Sequence, residues 1–168
     1  EISKTFGVSP LTSIVLYNRG IRDDKAIQNF LSKDQAALHD PFLMRDMDKA
    51  VERIAAAKEA NEKITIYGDY DVDGITAIAV LYKHLSGMGM SVDYYVPDRM
   101  QEGYGVNRDA LDKIKANGST LIITVDTGIT AVEECEYAKS IGLDLIITDH
   151  HECKEKIPQA YAAIDPKR

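Results

Sequence analysis

The sequence predicts an α/β fold: a mainly parallel sheet flanked by helices, with an N-terminal helical extension. Three observations predict it. Short apolar runs rich in β-branched and aromatic residues recur at 64–68 (ITIYG), 91–97 (SVDYYVP), 120–126 (TLIITVD) and 144–149 (DLIITD). Helical stretches at 74–87, 107–117 and 129–141 separate them. Several of the runs are apolar along most of their length, as strands covered on both faces require, and a helix between successive strands is the usual crossover of a parallel sheet.

The elements follow in order. Residues 1–60 read as helical. In SPLTSIVLYNRG, Ser9 suits an N-cap, Pro10 the first helical position and Gly20 the terminator. DDKAIQNFL forms a second short helix, DPF at 40–42 a turn, and MDKAVERIAAAKEAN an amphipathic helix with Val51, Ile54 and Ala55 on one face. The β-α-β-α-β-α-β series comes next, and YAAID at 161–165 is a candidate fifth strand. The expected division is a helical segment at 1–60 and a sheet domain at 61–168.

Bulk properties narrow the function classes. The chain has 168 residues, 45% hydrophobic and 28% charged, enough for one ordinary core or one core with a small appendage. No apolar run reaches membrane-spanning length, and the opening EISKTFGVSP lacks the features of a signal peptide. Cys135 and Cys153 make no disulfide framework. These readings favour a reducing, cytoplasmic setting. A net charge of −7 argues against a basic nucleic-acid-binding shell on this chain alone, without excluding a nucleic-acid partner.

The unusual polar residues fall at the strand ends. In ITIYGDYDVDG, Asp69, Asp71 and Asp73 occupy every second position. In an extended chain their spacing would be about 6.6 Å, and each neighbouring pair would repel by about 2–3 kcal/mol at an effective dielectric near 20. Asp98 and Arg99 follow the second strand, Asp126 ends the third, and Asp149, His150 and His151 end the fourth. Sites in open parallel sheets lie beyond the carboxyl ends of the strands. Carboxylates with neutral imidazole suit Mn²⁺, Mg²⁺ or a similar ion. Five aspartates and two histidines exceed the needs of one ion. Two ions about 3.5–4 Å apart, sharing a carboxylate, would relieve the repulsion, activate water and clamp a phosphoryl group.

Simpler readings compete. The D-x-D-x-D-G start of a calcium loop requires a glutamate at its twelfth position, which here is Val80. A solvated loop or a helix cap would account for any one motif, but not for their sorting to one edge. The loop DRMQEGYGVN (98–107) carries Arg99, Tyr104, Gly105 and Asn107, and Arg99 suits a phosphate. Asn107 is most simply a helix cap. Gly128 and Thr130 in DTGIT suit either an anion or a cap. His39, His84 and both cysteines read as structural.

DYDVDG, VDTG and TDHH, in this order, resemble the motif series of the DHH phosphoesterase superfamily. VPDRMQEGYGVN, LIITDHHE and the N-terminal SPLTSIVLYNRGI and LHDPFLMRDMDKAVERI are similar to its RecJ branch of single-strand-specific exonucleases. The resemblance implies a role for each matching position. Asp69 and Asp71 would serve a first metal and Asp73 and His150 a second, with Asp126 bridging. His151 would contact the scissile phosphate, and Asp149 would orient a histidine. Arg99 and Tyr104, in the loop with Gly105 and Asn107, would hold the substrate phosphate. It further implies Mn²⁺ or Mg²⁺, two ions in the complete enzyme, and 5′-to-3′ exonuclease activity on single-stranded DNA in repair and recombination. A single-strand-binding protein or a helicase is the implied protein partner. The alternatives are a small-molecule phosphoesterase acting on nanoRNA, cyclic dinucleotides or pyrophosphate, and a non-catalytic replication scaffold.

Two departures qualify the resemblance. The family's first motif often begins with histidine where this chain has Tyr67, and Asp69 is expected to compensate. The RecJ branch also carries a further metal-binding aspartate and a second catalytic domain beyond the DHH motif. Asp165 is not assigned that role. The expectation is therefore an N-terminal fragment, truncated at its C-terminus and inactive alone.

Overall fold

The computed structural model describes residues 2–34, 38–100 and 102–168. The chain forms two compact units, Glu1–Asp40 and Pro41–Arg168. The first holds α1 (Ile2–Phe6), α2 (Pro10–Asn18) and α3 (Asp24–Leu31). Ser9 caps α2, its hydroxyl accepting from the Thr12 amide at 3.0 Å, and Asp23 caps α3 in the same way. Gly20 follows α2 at φ 80°, a left-handed position that stops a helix at no steric cost in glycine.

The second unit runs through a 3-10 turn (Pro41–Leu43), α4 (Met47–Glu59), β1 (Lys63–Gly68), α5 (Val72–Gly87), β2 (Ser91–Tyr95), α6 (Arg108–Ala116), β3 (Leu121–Val125), α7 (Val132–Ser140), β4 (Asp144–Thr148) and β5 (Ala162–Ile164). The five strands are parallel, in the order β2-β1-β3-β4-β5. Strand alternation divides the apolar residues between two faces. Ile64, Ile66, Leu121, Ile123 and Ile146 share one core with Ala50 and Ala57 of α4 and Ile78 and Leu85 of α5. Tyr67, Ile122 and Leu145 face the other way, onto Leu111 and Ile114 of α6 and Cys135 and Ala138 of α7. By packing, α4 therefore goes with the sheet. Arg53 ties it further, reaching Glu62 and Asp144 at 2.7 Å each.

The ends of elements differ from expectation where a side chain or backbone angle intervenes. Helix α5 starts at Val72, two residues early, because Asp71 caps it: its Oδ1 accepts from the Asp73 and Gly74 amides at 2.9 and 3.0 Å. Helix α7 starts at Val132, three residues late, because Gly128 sits at φ 112° and residues 128–131 form a turn. Strand β3 stops at Val125 because Asp126 is left-handed, at φ 59°. Strand β2 stops at Tyr95, ahead of Pro97, and β5 keeps only Ala162–Ile164.

The strand order positions the site. From β1 the chain crosses over to β2 at one edge, then returns past β1 to β3 and continues outward. A reversal of this kind opens a crevice at the carboxyl ends of the two strands that flank it, here β1 and β3.

Candidate active site

Asp69 follows β1 and is buried. Its Oδ1 accepts from the Tyr70 amide at 2.7 Å. The first turn of α5 lies directly on its backbone. A Cβ at Gly74 would come within 2.3 Å of the Asp69 carbonyl oxygen, so only glycine allows this approach. The approach brings Asp71, the cap of α5, beside Asp69. On the other side of the crevice, the left-handed Asp126 still donates its amide to Thr148 O at 3.1 Å. Aspartate tolerates this backbone region better than most residues. The turn lets its carboxylate reach sideways, and carboxylate oxygens of Asp69, Asp71 and Asp126 lie within 4.8 Å of one another.

A second group shares Asp126. One of its oxygens and a ring nitrogen from each of His150 and His151 also lie within 4.8 Å. His150 Nε2 is 2.8 Å from Asp126 Oδ1, and the two imidazoles are tilted with centroids 4.8 Å apart. Asp73 is in neither group. It sits exposed in the first turn of α5 and lines a cavity of about 420 Å³ with Asp126, His150, Met44 and Met47. Asp165 ends β5 outside both groups. It is buried, and one of its oxygens accepts from the Lys167 amide at 2.8 Å.

The electrostatics suit a cation. Burial pushes the Asp69 carboxyl above its ordinary value, and repulsion from Asp71 and Asp126 adds to the shift, against the Tyr70 amide and His151. Oxygen donors crowded this closely, with imidazole at the margin, are the set that Mn²⁺ or Mg²⁺ takes. The residues present therefore fit a divalent ion at Asp69, Asp71 and Asp126, and a second beside Asp126 and His150.

Asp149 is buried and saturated with donors. Its Oδ2 accepts from the Ile129 amide at 2.9 Å, and its Oδ1 from the His150 amide at 2.7 Å and the His151 amide at 3.2 Å. Oδ1 also faces His151 Nδ1 at 2.7 Å. Burial works against ionisation, but these donors outweigh it and the carboxyl lies below its usual range. The same contact raises His151, burial opposing it. With Nδ1 held by Asp149, Nε2 of His151 points outward, 3.4 Å from the Tyr104 hydroxyl.

Tyr104 belongs to the 98–107 loop, which runs from β2 to α6. Tyr104 is 56% exposed, with its ring edge-on to His151 at 6.2 Å. Arg99 lies over the Tyr70 ring, 5.3 Å from its centroid. Gly105 is left-handed, φ 89°, and its carbonyl accepts from the Tyr67 hydroxyl at 2.8 Å. Asn107 caps α6, taking the Ala110 amide at 2.8 Å, and its Nδ2 donates to Tyr67 at 3.3 Å. Tyr67, which stands where the resemblance leads one to look for histidine, is thus a buried anchor for this loop.

Sequence reasoning missed Glu102. Its Oε1 accepts from the Tyr95 hydroxyl at 2.6 Å and from Lys113 Nζ at 2.7 Å, and its Oε2 from the Asp98 amide at 2.8 Å. The one available signal was an acidic residue inside a loop otherwise suited to phosphate.

Residues 63–168 match the DHH family, N-terminal domain. The chain belongs to the DHH family. Within the DHH family it is similar to the single-stranded-DNA-specific exonuclease RecJ of Bacillus subtilis, with 44% identity over 168 residues, 100% of this chain and 21% of the relative. The RecJ of Escherichia coli is 33% identical over 94% of this chain and 27% of its own length. The chain thus spans about a quarter or less of the length of these curated relatives. Its fold matches a crystal structure of exonuclease RecJ bound to manganese, with TM-score 0.70 and 30% identity over 77% of this chain and 33% of that one. Among the described residues, no helix is long and apolar enough to cross a membrane.

Proposed function

We propose that this DHH domain is the metal- and phosphate-binding part of a phosphodiesterase that removes nucleotides from the 5′ end of single-stranded DNA. The observation that carries the reading is the convergence of Asp69, Asp71, Asp126, His150 and His151 at the β1/β3 reversal. The names of the relatives and the manganese of the matched crystal structure support it.

Asp69 and Asp71 would hold one ion and Asp73 and His150 a second, with Asp126 between them. Divalent ions held there would supply activation of water and neutralisation of charge on the phosphoryl group. The chain's own residues supply the rest. Asp149 fixes the His151 ring and favours its charged form, so Nε2–H can donate to a phosphate oxygen as charge develops there. Tyr104 closes the adjacent side, where its hydroxyl can donate to the same group. Arg99 offers a planar guanidinium to the 5′-terminal phosphate of the substrate. The same reading places the protein in the cytoplasm, in DNA repair and recombination, with a single-strand-binding protein or a helicase as partner. The catalytic part begins at the first strand, with α4 packed on the same sheet as its support.

The test uses the natural polypeptide that carries this sequence, with Mn²⁺ and single-stranded or duplex DNA labelled at either end. Stepwise loss from the 5′ end of single strands, abolished by chelation and by Asp126→Ala, is the expected result. Hydrolysis of nanoRNA or cyclic dinucleotides with single-stranded DNA untouched would move the reading to a small-molecule phosphoesterase. Mn²⁺ binding with no hydrolysis of any of these would leave a binding module.

A further inference from the structure

Tyr104 meets His151 and Thr127 through its hydroxyl, and the backbone that carries it there is held by its neighbours. Its neighbours Gly103 and Gly105 are both left-handed, at φ 75° and 89°. Met100 and Tyr104 are exposed, and the loop's apolar anchors, Pro97 and Val106, lie near its two ends. The segment between depends on polar fasteners. Two of these come from one aromatic stack. Tyr67 of β1 and Tyr95 of β2 are neighbours in register and stack with centroids 5.5 Å apart and planes at 17°. The Tyr95 hydroxyl donates to Glu102 and the Tyr67 hydroxyl to the Gly105 carbonyl. The fasteners therefore fall at residues 102 and 105, with only Gly103 and Tyr104 between them.

Glu102 does more than receive Tyr95. Lys113 of α6 reaches it at 2.7 Å. Its own amide donates to Asp98 O at 2.8 Å while its carboxylate takes the Asp98 amide at 2.8 Å, a double clasp across the turn that holds Arg99. The carboxylate is 13% exposed. Charge-assisted bonds to such a group are stronger than neutral ones.

We propose that Glu102 is a positioning residue: anchored by Tyr95 and Lys113, it brackets Tyr104 against His151 and fixes the turn that carries Arg99. Its effect on turnover rests on the phosphodiesterase reading; its effect on the loop does not. Glu102 acts through Tyr104 and Arg99 and touches neither ions nor substrate. Its removal releases the loop while Asp69, Asp71, Asp126 and His150 stay in place.

The experiment compares Glu102→Ala, Glu102→Gln, Tyr104→Ala and the Glu102→Ala/Tyr104→Ala double variant, in the natural polypeptide, on 5′-phosphorylated single-stranded DNA with Mn²⁺. Misplacement of a substrate-contacting group by about 1 Å can cost up to about a hundredfold. A loosened loop still visits the right position, so we expect kcat/KM to fall about tenfold in Glu102→Ala, with part recovered in Glu102→Gln. Mn²⁺ affinity, read by calorimetry, should stay within about twofold of the parent. The double variant should be no more than about threefold worse than Tyr104→Ala, because residues acting through one another are not additive. Full multiplication of the two losses, or an equal loss of Mn²⁺ affinity, overturns the proposal. Amide exchange separates the two readings: it should quicken across 98–107 in Glu102→Ala and stay unchanged in the strands. If the parent degrades no single-stranded DNA, the phosphodiesterase reading fails and exchange still decides the tether. Unchanged exchange in the loop refutes the tether whatever the activity.

Discussion

Gly74→Ala isolates the contact that brings two strand ends into one site. Gly74 lies in the first turn of α5 with ordinary helical geometry, so alanine meets no backbone penalty and gains about 1 kcal/mol of helix propensity. The obstacle is packing. The new Cβ would stand 2.3 Å from the Asp69 carbonyl oxygen, 2.6 Å from its nitrogen and 2.7 Å from its carbonyl carbon. These are backbone atoms of a residue at the end of a central strand, and no rotamer change relieves them. Ordinary contact requires a retreat of about 1 Å by the N-terminus of α5. Overpacking of this kind costs about 1–3 kcal/mol, and more where backbone must move. We expect a net loss of about 1–3 kcal/mol, or about 2–10 °C in Tm for a chain of this size. Asp71, the cap of the moved turn, should leave the carboxylate group, weakening Mn²⁺ binding by at least about tenfold. Gly87→Ala is the matched control. It lies at the other end of α5 with no atom within 4 Å of its new Cβ, and should be neutral or slightly stabilising. Chemical unfolding and Mn²⁺ calorimetry on both variants decide the matter. A Gly74→Ala protein as stable and as metal-competent as Gly87→Ala would show that the α5 approach to Asp69 is not what builds the site.

Three further outcomes follow from the same geometry. Asp69→Asn should raise stability in EDTA by about 1 kcal/mol and weaken Mn²⁺ binding at least about tenfold; the folded carboxyl titrates above its unfolded value, so its ionisation costs stability as pH rises, and a less stable variant in EDTA would refute the crowding argument. Glu102 is held down to about 2 from an ordinary 4.5, by Lys113 first and then Tyr95, so its contribution is present above pH 4.5 and is lost as pH falls through about 2. The whole shift would amount to about 3 kcal/mol. Because Lys113 is 60% exposed we expect about 1–2 kcal/mol, seen as a shallower acid unfolding profile in Glu102→Gln; an unchanged profile refutes it. Arg99→Ala should weaken binding of a 5′-phosphorylated deoxyoligonucleotide about tenfold while leaving Tm within about 2 °C, and an equal loss for the unphosphorylated strand would remove the phosphate contact.

The sheet was legible because a strand covered on both faces must be apolar at successive positions, and ITIYG, LIITV and DLIIT show that directly. Caps were legible for the same local reason: Ser9 and Asn107 have one short polar side chain each, placed where an unpaired amide needs it. The missed ends are those where tertiary contact overrides propensity. The sequence places Asp71 after the first strand and opens the next helix at residue 74, whereas the structure uses Asp71 itself to start α5. The late start of α7 turns on Gly128, whose φ of 112° places the backbone where a Cβ would come within 2.8 Å of Thr124 Oγ1. Nothing in DTGIT announces a buried threonine beneath it.

The candidate site divides along the same line. Residue types and their sorting to the carboxyl ends of strands could be read in advance, because both follow from strand boundaries. Which carboxylates meet could not, because that depends on backbone direction after the strand has ended. Alternation in an extended chain would set Asp69, Asp71 and Asp73 side by side on one face. The structure bends the chain into α5 at Asp71, leaves Asp73 exposed in the first turn of that helix, and substitutes Asp126, just past β3, as the third carboxylate. That substitution needs a left-handed aspartate, 57 positions from Asp69 in the chain, at the strand that flanks the reversal of order. The loop between β2 and α6 shows the complementary limit. Arg99 and Tyr104 stand out by type, but what holds them is a tyrosine pair at positions 67 and 95, joined only by strand register. A residue such as Glu102, whose partners are Tyr95, Asp98 and Lys113, acquires meaning only when β1, β2 and α6 are assembled around it.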